Sequence, residues 1–165
     1  MLRPLLFWLG ERYQRRLGVA TPYFDEVVRH APGAVVPILG FVPATAYGSR
    51  TPDNALHMVR LGATVAQDCG TCLEIGVRMA RRAGVAANDV EAAVRGRTTD
   101  LAPELAAAVR FGDRMARLED APAERDVIRA HFGEGGLVEA SIAAAGAMTF
   151  PVLQRGLGFA RTCTA

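Results

Sequence analysis

Two cysteines separated by two residues, in the run Gln67-Asp68-Cys69-Gly70-Thr71-Cys72, are the side chains of this sequence best suited to chemistry. Thiol chemistry needs a thiolate, and a helix N-terminus, with its unpaired N–H groups and positive dipole end, supplies one more easily than bulk solvent. A helical pattern runs from Cys69 to Ala83 and closes at Gly84, so both sulfurs sit at such an end. The spacing lets the sulfurs meet across one turn, and a disulfide between them can open and close with little backbone movement. On a helical projection Cys69, Cys72, Leu73, Gly76, Ala80 and Ala83 share one face, and Glu74, Arg78, Arg81 and Arg82 occupy another. Asp68 is the nearest carboxylate in sequence; it is a capping candidate, and its charge opposes the helix end by raising the thiol pKa values.

Other uses of such a pair are half a zinc site or two small core residues. No second Cys-x-x-Cys and no His-x-x-x-His accompanies it, and Cys163 with His131 makes an irregular second half. No metal and no cofactor is therefore expected.

The elements that position the pair are helices. Leu2 to Leu17 forms one amphipathic helix, with Leu5, Leu6, Leu9, Tyr13 and Leu17 on one stripe. Thr21-Pro22 and Thr51-Pro52 each place a capping hydroxyl before a proline suited to a first turn. Asp53 to Ala66 is apolar on most sides, as a helix in the middle of a bundle must be. Asn88 with Glu91 caps a short helix, and Asp100 caps a longer one carrying Leu101, Leu105, Val109 and Met115. Pro122 to Phe132 and Gly136 to about Phe159 complete the set, the latter bent or broken at Pro151. No alternating strand pattern and no solenoid repeat competes. The fold class read from this is all-α. It is one structural domain, with residues 1–50 an N-terminal helical extension on a core of 51–165.

A chain of 165 residues, half of them hydrophobic and 22% charged, has the composition of one globular domain. A net charge of +2, with acids and bases interspersed, points to no nucleic acid partner. Three cysteines do not form the framework of a small secreted domain, so a reducing cytoplasm is expected. The apolar run Leu5 to Leu9 is too short for a signal peptide, and Pro32, Pro37 and Pro43 interrupt the uncharged stretch from Ala31 to Ser49. We read that stretch as buried helical turns and connectors, not as a membrane span.

The run Cys69-Gly-Thr-Cys72-Leu-Glu-Ile-Gly76-Val-Arg-Met-Ala80-Arg-Arg-Ala83-Gly84-Val resembles the core motif of the alkylhydroperoxidase D and carboxymuconolactone decarboxylase superfamily, Cys-x-x-Cys-x-x-x-His followed by alanines and a glycine. The resemblance covers about Pro52 to Val85. It implies an all-helical subunit that assembles into trimers or larger rings, and a peroxidase-type thiol cycle. In that cycle Cys72 becomes a sulfenic acid, while Cys69 supplies a proton and then closes the disulfide. The substrate is a hydroperoxide or similar small oxidant, and an external dithiol recycles the enzyme.

Gly76 stands where the motif has histidine, and His57 stands twelve residues before Cys69, where the family carries a relay glutamate. His57 is the candidate base, since its ordinary pKa near 6.5 suits proton transfer at neutral pH. Twelve residues of unbroken helix span roughly 18 Å, so only a chain turn or a neighbouring subunit brings it to the sulfurs. Its other role is that of a core histidine. Gly76 leaves open space one turn beyond Cys72, for a substrate or for a close-packed helix. Two further readings stay open: a non-enzymatic or redox-responsive oligomer lacking the proton relay, and a cofactor-free decarboxylase or lactone enzyme, the superfamily's other branch.

Overall fold

The computed structural model describes residues 2–162, and Cys163 lies outside them. Among the described residues there are eight helices and no strand: α1 Leu2–Leu17, α2 Pro22–His30, α3 Val35–Thr45, α4 Asp53–Ala66, α5 Gly70–Arg82, α6 Ala87–Val94, α7 Pro103–Ala116 and α8 Pro122–Gly156. The all-α expectation is met.

Helix α4 is the centre of the bundle. Leu56, Met58, Val59 and Leu61 are all but inaccessible and pack with Phe111 of α7 and Ile128, Ala140, Ala143 and Ala144 of α8. Two glycines set how closely α4 and α7 cross. A Cβ on Gly62 would fall 2.1 Å from Val109 O, and one on Gly112 would fall 2.0 Å from Val59 O. Neither position admits any side chain, because backbone fills the space.

A second apolar cluster joins Leu6, Tyr23, Phe24, Val27, Val28 and Val35 of the first three helices to Phe150 and Leu153 of α8. Helix α3 departs from the burial expected of it. Val36 is 70% exposed and Phe41 42% exposed, since only one side of this uniformly apolar helix meets the bundle. Helix α2 and the segment Pro32–Thr45 turn by 116° at Ala31. Helix α8 is long and apolar enough to cross a membrane by length and composition, but its inward alanines belong to the core just described.

Four expected caps are not used, the first being Thr21, which stands at the N-cap of α2 with no cap hydrogen bond to its hydroxyl. Helix α4 begins after Thr51-Pro52 as expected, yet no hydroxyl caps it. Buried Glu139 of α8 instead takes the amides before it, with Ser49 N at 2.7 Å, Arg50 N at 3.0 Å and Thr51 N at 2.8 Å, plus the Ser49 hydroxyl at 2.9 Å. Burial opposes the charge, but these donors outweigh it and hold the carboxyl at about 2. Asn88 lies inside α6, and Asp100 lies in a 3-10 turn ahead of α7, whose preceding residue is Ala102. The expected boundary between Phe132 and Gly136 is there, as a kink at Gly133 (φ 72°, ψ −177°), whereas Pro151, the other expected break, is carried within α8.

Candidate functional site

The turn between α4 and α5 builds the thiol pair. Asp68 adopts a left-handed backbone (φ 48°) and reverses the chain after α4, and Cys69 follows as the extended residue that starts α5. Cys69 is wholly buried; Cys72, one turn on, is half-buried, and both are free thiols. The Gly70 N–H at the start of α5 donates to Arg161 O at 2.8 Å, so the C-terminal segment lies across this helix end. A Cβ on Gly70 would meet Thr162 O at 2.9 Å, which makes glycine the residue that admits the tail.

Cys69 is drawn down from an ordinary 9.0 to about 7. Hydrogen bonding from the Cys72 thiol is the main cause, and burial opposes it. The Cys72 backbone N–H, which faces the sulfur without completing a cap, and the charge of Arg155 add to the lowering, while Asp68 raises it as expected. Arg155 is fixed by donating from Nη2 to Gln67 O at 2.6 Å.

Cys72 opens on a cavity of about 150 Å³ between α4, α5, α8 and the first three helices, with Tyr23, Ile38, Arg60, Gly76, Phe150 and Gln154 in its wall. Its lining is overwhelmingly apolar. Gln154, buried on α8, donates from Nε2 to Cys72 Sγ at 3.0 Å. An N–H aimed at sulfur favours the thiolate over the thiol. Tyr23 is also buried, and its hydroxyl has no hydrogen-bond partner among the described residues. Burial and then the negative character of Cys72, Tyr13 and Cys69 push its pKa up, so it holds its proton.

Gly76 lines this cavity, and a Cβ there would meet only Leu61 Cδ2, at 3.4 Å. The missing side chain therefore opens space beside Cys72 and is not demanded by close helix packing. His57 is buried on α4, and its pKa is lowered by burial and then by the Arg60 charge, against Asp53. It lies outside the cavity wall, and its charged neighbours are Arg60 and Asp53, not the thiols. The structure thus brings Cys69 and Cys72 together and sets His57 apart from the cavity. No group of three metal-ligating side chains forms among the described residues.

Gln154, Tyr23 and Arg60 were not singled out from the sequence. Gln154 did carry a signal, as the one amide in the apolar stretch that follows Glu139, and Arg60 as the lone cation within α4.

An all-helical bundle that presents a Cys-x-x-Cys pair from the start of one helix to an apolar cavity is the class that fold and site define. Residues 43–114, from the end of α3 almost to the end of α7, match the model of the carboxymuconolactone decarboxylase family. No curated protein and no solved structure matches.

Proposed function

We propose that the protein is a thiol-dependent oxidoreductase that reduces a hydroperoxide through a Cys69–Cys72 disulfide cycle. One observation carries this reading: Cys72 reaches the cavity with an amide donor on its sulfur, while Cys69, drawn down to about 7, is wholly buried behind it. The accessible sulfur is the nucleophile and the enclosed one its base and resolving partner.

Cys69 thiolate first takes the Cys72 proton. Cys72 thiolate, held by Gln154, attacks the terminal peroxide oxygen; a sulfur–oxygen bond forms, the O–O bond breaks, and its electron pair leaves on the alkoxide. The Tyr23 hydroxyl gives that alkoxide a proton, yielding the alcohol, and recovers one from the Cys69 thiol. Cys69 thiolate then attacks the Cys72 sulfenic sulfur, forming the disulfide and releasing hydroxide, which leaves as water on taking a proton from solvent. An external dithiol returns both cysteines to thiols and is itself oxidised. Gln154 and Tyr23 supply what Gly76 and the missing glutamate do not.

Steady-state turnover of cumene hydroperoxide with a small dithiol as reductant tests this. Cys72→Ser abolishes turnover, and Cys69→Ser leaves one oxidation without recycling; full turnover in Cys72→Ser contradicts the reading. A decarboxylase-like activity is favoured by one observation, the cationic Arg60 in the cavity wall, and it predicts turnover that survives replacement of both cysteines.

A further inference from the structure

Among the described residues, Arg60 is the one charged side chain in the wall of the cavity, and no acidic side chain faces it there. The guanidinium is largely buried, and although the Asp53 carboxylate attracts it from beyond contact distance, it makes no ion pair among the described residues. Its one hydrogen bond there runs from Nη2 to Thr45 O, at a long 3.3 Å. The neighbouring hydroxyls turn their protons to backbone, Thr45 Oγ1 donating to Val42 O at 2.8 Å and Thr64 Oγ1 to Arg60 O at 2.7 Å, and neither accepts from the guanidinium. A guanidinium has five N–H donors in a planar fork, stays charged at any ordinary pH, and is costly to bury unpaired. Here most of those donors are left to whatever enters an otherwise greasy space.

The size of that space bounds the occupant. About 150 Å³ is the volume that accommodates a benzene-sized body in an engineered apolar cavity, so the lining takes an apolar group of about six to eight carbons. A carboxylate is the anion whose two oxygens match the guanidinium fork.

We propose that the cavity binds an apolar monocarboxylate, with its carboxylate on Arg60 and its hydrocarbon body along Ile38, Phe150 and Met79. The hydroperoxide reduced at Cys72 is then one carried by such an acid; this last step rests on the thiol-peroxidase reading, whereas the binding does not. Anchoring the carboxylate at one point of the wall fixes which part of the body meets the sulfur, a positioning that an apolar lining alone does not provide.

Isothermal titration calorimetry with octanoate, octanol and octylamine, below their aggregation concentrations, tests the binding. The protein used is the full chain and its Cys69→Ser/Cys72→Ser variant, so that no thiol chemistry intrudes. Octanoate is expected to bind at least about tenfold more tightly than octanol, the scale of one charge-assisted hydrogen bond, and octylamine more weakly than both. Arg60→Met should erase the difference between octanoate and octanol while octanol still binds, and Arg60→Lys should restore part of it. Equal affinity for octanoate and octanol in the unsubstituted chain overturns the proposal without recourse to any variant, as does a preference that survives Arg60→Met. Octanoate preference without hydroperoxide turnover sinks only the peroxidase reading; turnover without that preference sinks only this one.

Discussion

Gln154 Nε2 lies 3.0 Å from Cys72 Sγ, an amide donor brought onto a thiol from 82 positions away in the chain. Both groups face the same cavity, and Gln154 itself is 2% exposed. Helix α8 therefore completes a site whose cysteines sit on α5, and it does so from beyond the segment that matches the family.

Gln154→Leu keeps the bulk of the side chain and removes the donor. The first oxidation of Cys72 by hydroperoxide, followed by stopped flow, should slow by about tenfold, in keeping with loss of one hydrogen bond to a charged group. Gln154→Glu, which sets a carboxylate against the sulfur, should slow it further. An unchanged rate in both variants would remove Gln154 from the mechanism.

Tyr23→Phe deletes a hydroxyl that has no hydrogen-bond partner among the described residues, and little else. The expected result is a lower rate of peroxide cleavage with an unchanged rate of disulfide reduction by the dithiol, because only the alkoxide needs that proton. Equal slowing of both steps would instead mark a general disturbance of the cavity.

The lowered Cys69 has a definite pH signature. Its folded-state pKa of about 7 lies below the ordinary 9.0, so the stabilisation it contributes is complete above 9.0 and is lost as pH falls through about 7. Thiolate ultraviolet absorbance of the native protein should rise with a midpoint near 7. Cys72→Ala, which removes the principal donor, should move that midpoint up toward 9.0; a midpoint that stays put would assign the lowering to Arg155 and the helix end.

Glu139 anchors the segment ahead of α4 through three backbone amides and one hydroxyl. Glu139→Gln should destabilise the fold by about 2 to 4 kcal/mol in chemical denaturation at neutral pH, since charge-assisted bonds to a buried carboxylate are lost. With a folded pKa of about 2 against an ordinary 4.5, its contribution is fully present above 4.5 and disappears as pH falls through about 2. A variant as stable as the parent would contradict this role.

Gly76→Ala should raise stability by about 0.5 to 1 kcal/mol, because the helix gains alanine and the new Cβ meets only Leu61 at 3.4 Å. The same methyl narrows the cavity, so the KM for a bulky hydroperoxide should rise while kcat holds. Thermal unfolding and steady-state kinetics on the one variant check both halves.

What the sequence disclosed and what it withheld follow from the range of the interactions. Helices such as Leu2–Leu17 and Asp53–Ala66 are written in local periodicity and prolines, and their bounds were legible to the residue. The cysteine pair was legible too, since two residues of spacing decide its geometry. Caps at Thr21, Thr51, Asn88 and Asp100 were misread: a distant carboxylate takes the amide of Thr51, α6 already begins at Ala87 ahead of Asn88, Asp100 belongs to a 3-10 turn, and Thr21 holds the N-cap position without a cap bond. The boundary between Phe132 and Gly136 was legible and falls at Gly133, whose backbone side chains disfavour, whereas Pro151 looked like a second break and is carried within the helix. Gln154, Tyr23 and Arg60 join the site only through packing of α8, α2 and α4 around one cavity, and no local pattern encodes that.

The central claim is that Cys72 and Cys69 form a working redox pair, and counting thiols tests it most directly. After one equivalent of hydroperoxide, the native protein should retain one of its three thiols, and peptide mapping should show a Cys69–Cys72 disulfide with Cys163 free. Three thiols retained by the native protein, under conditions where the denatured chain is oxidised, would contradict the account.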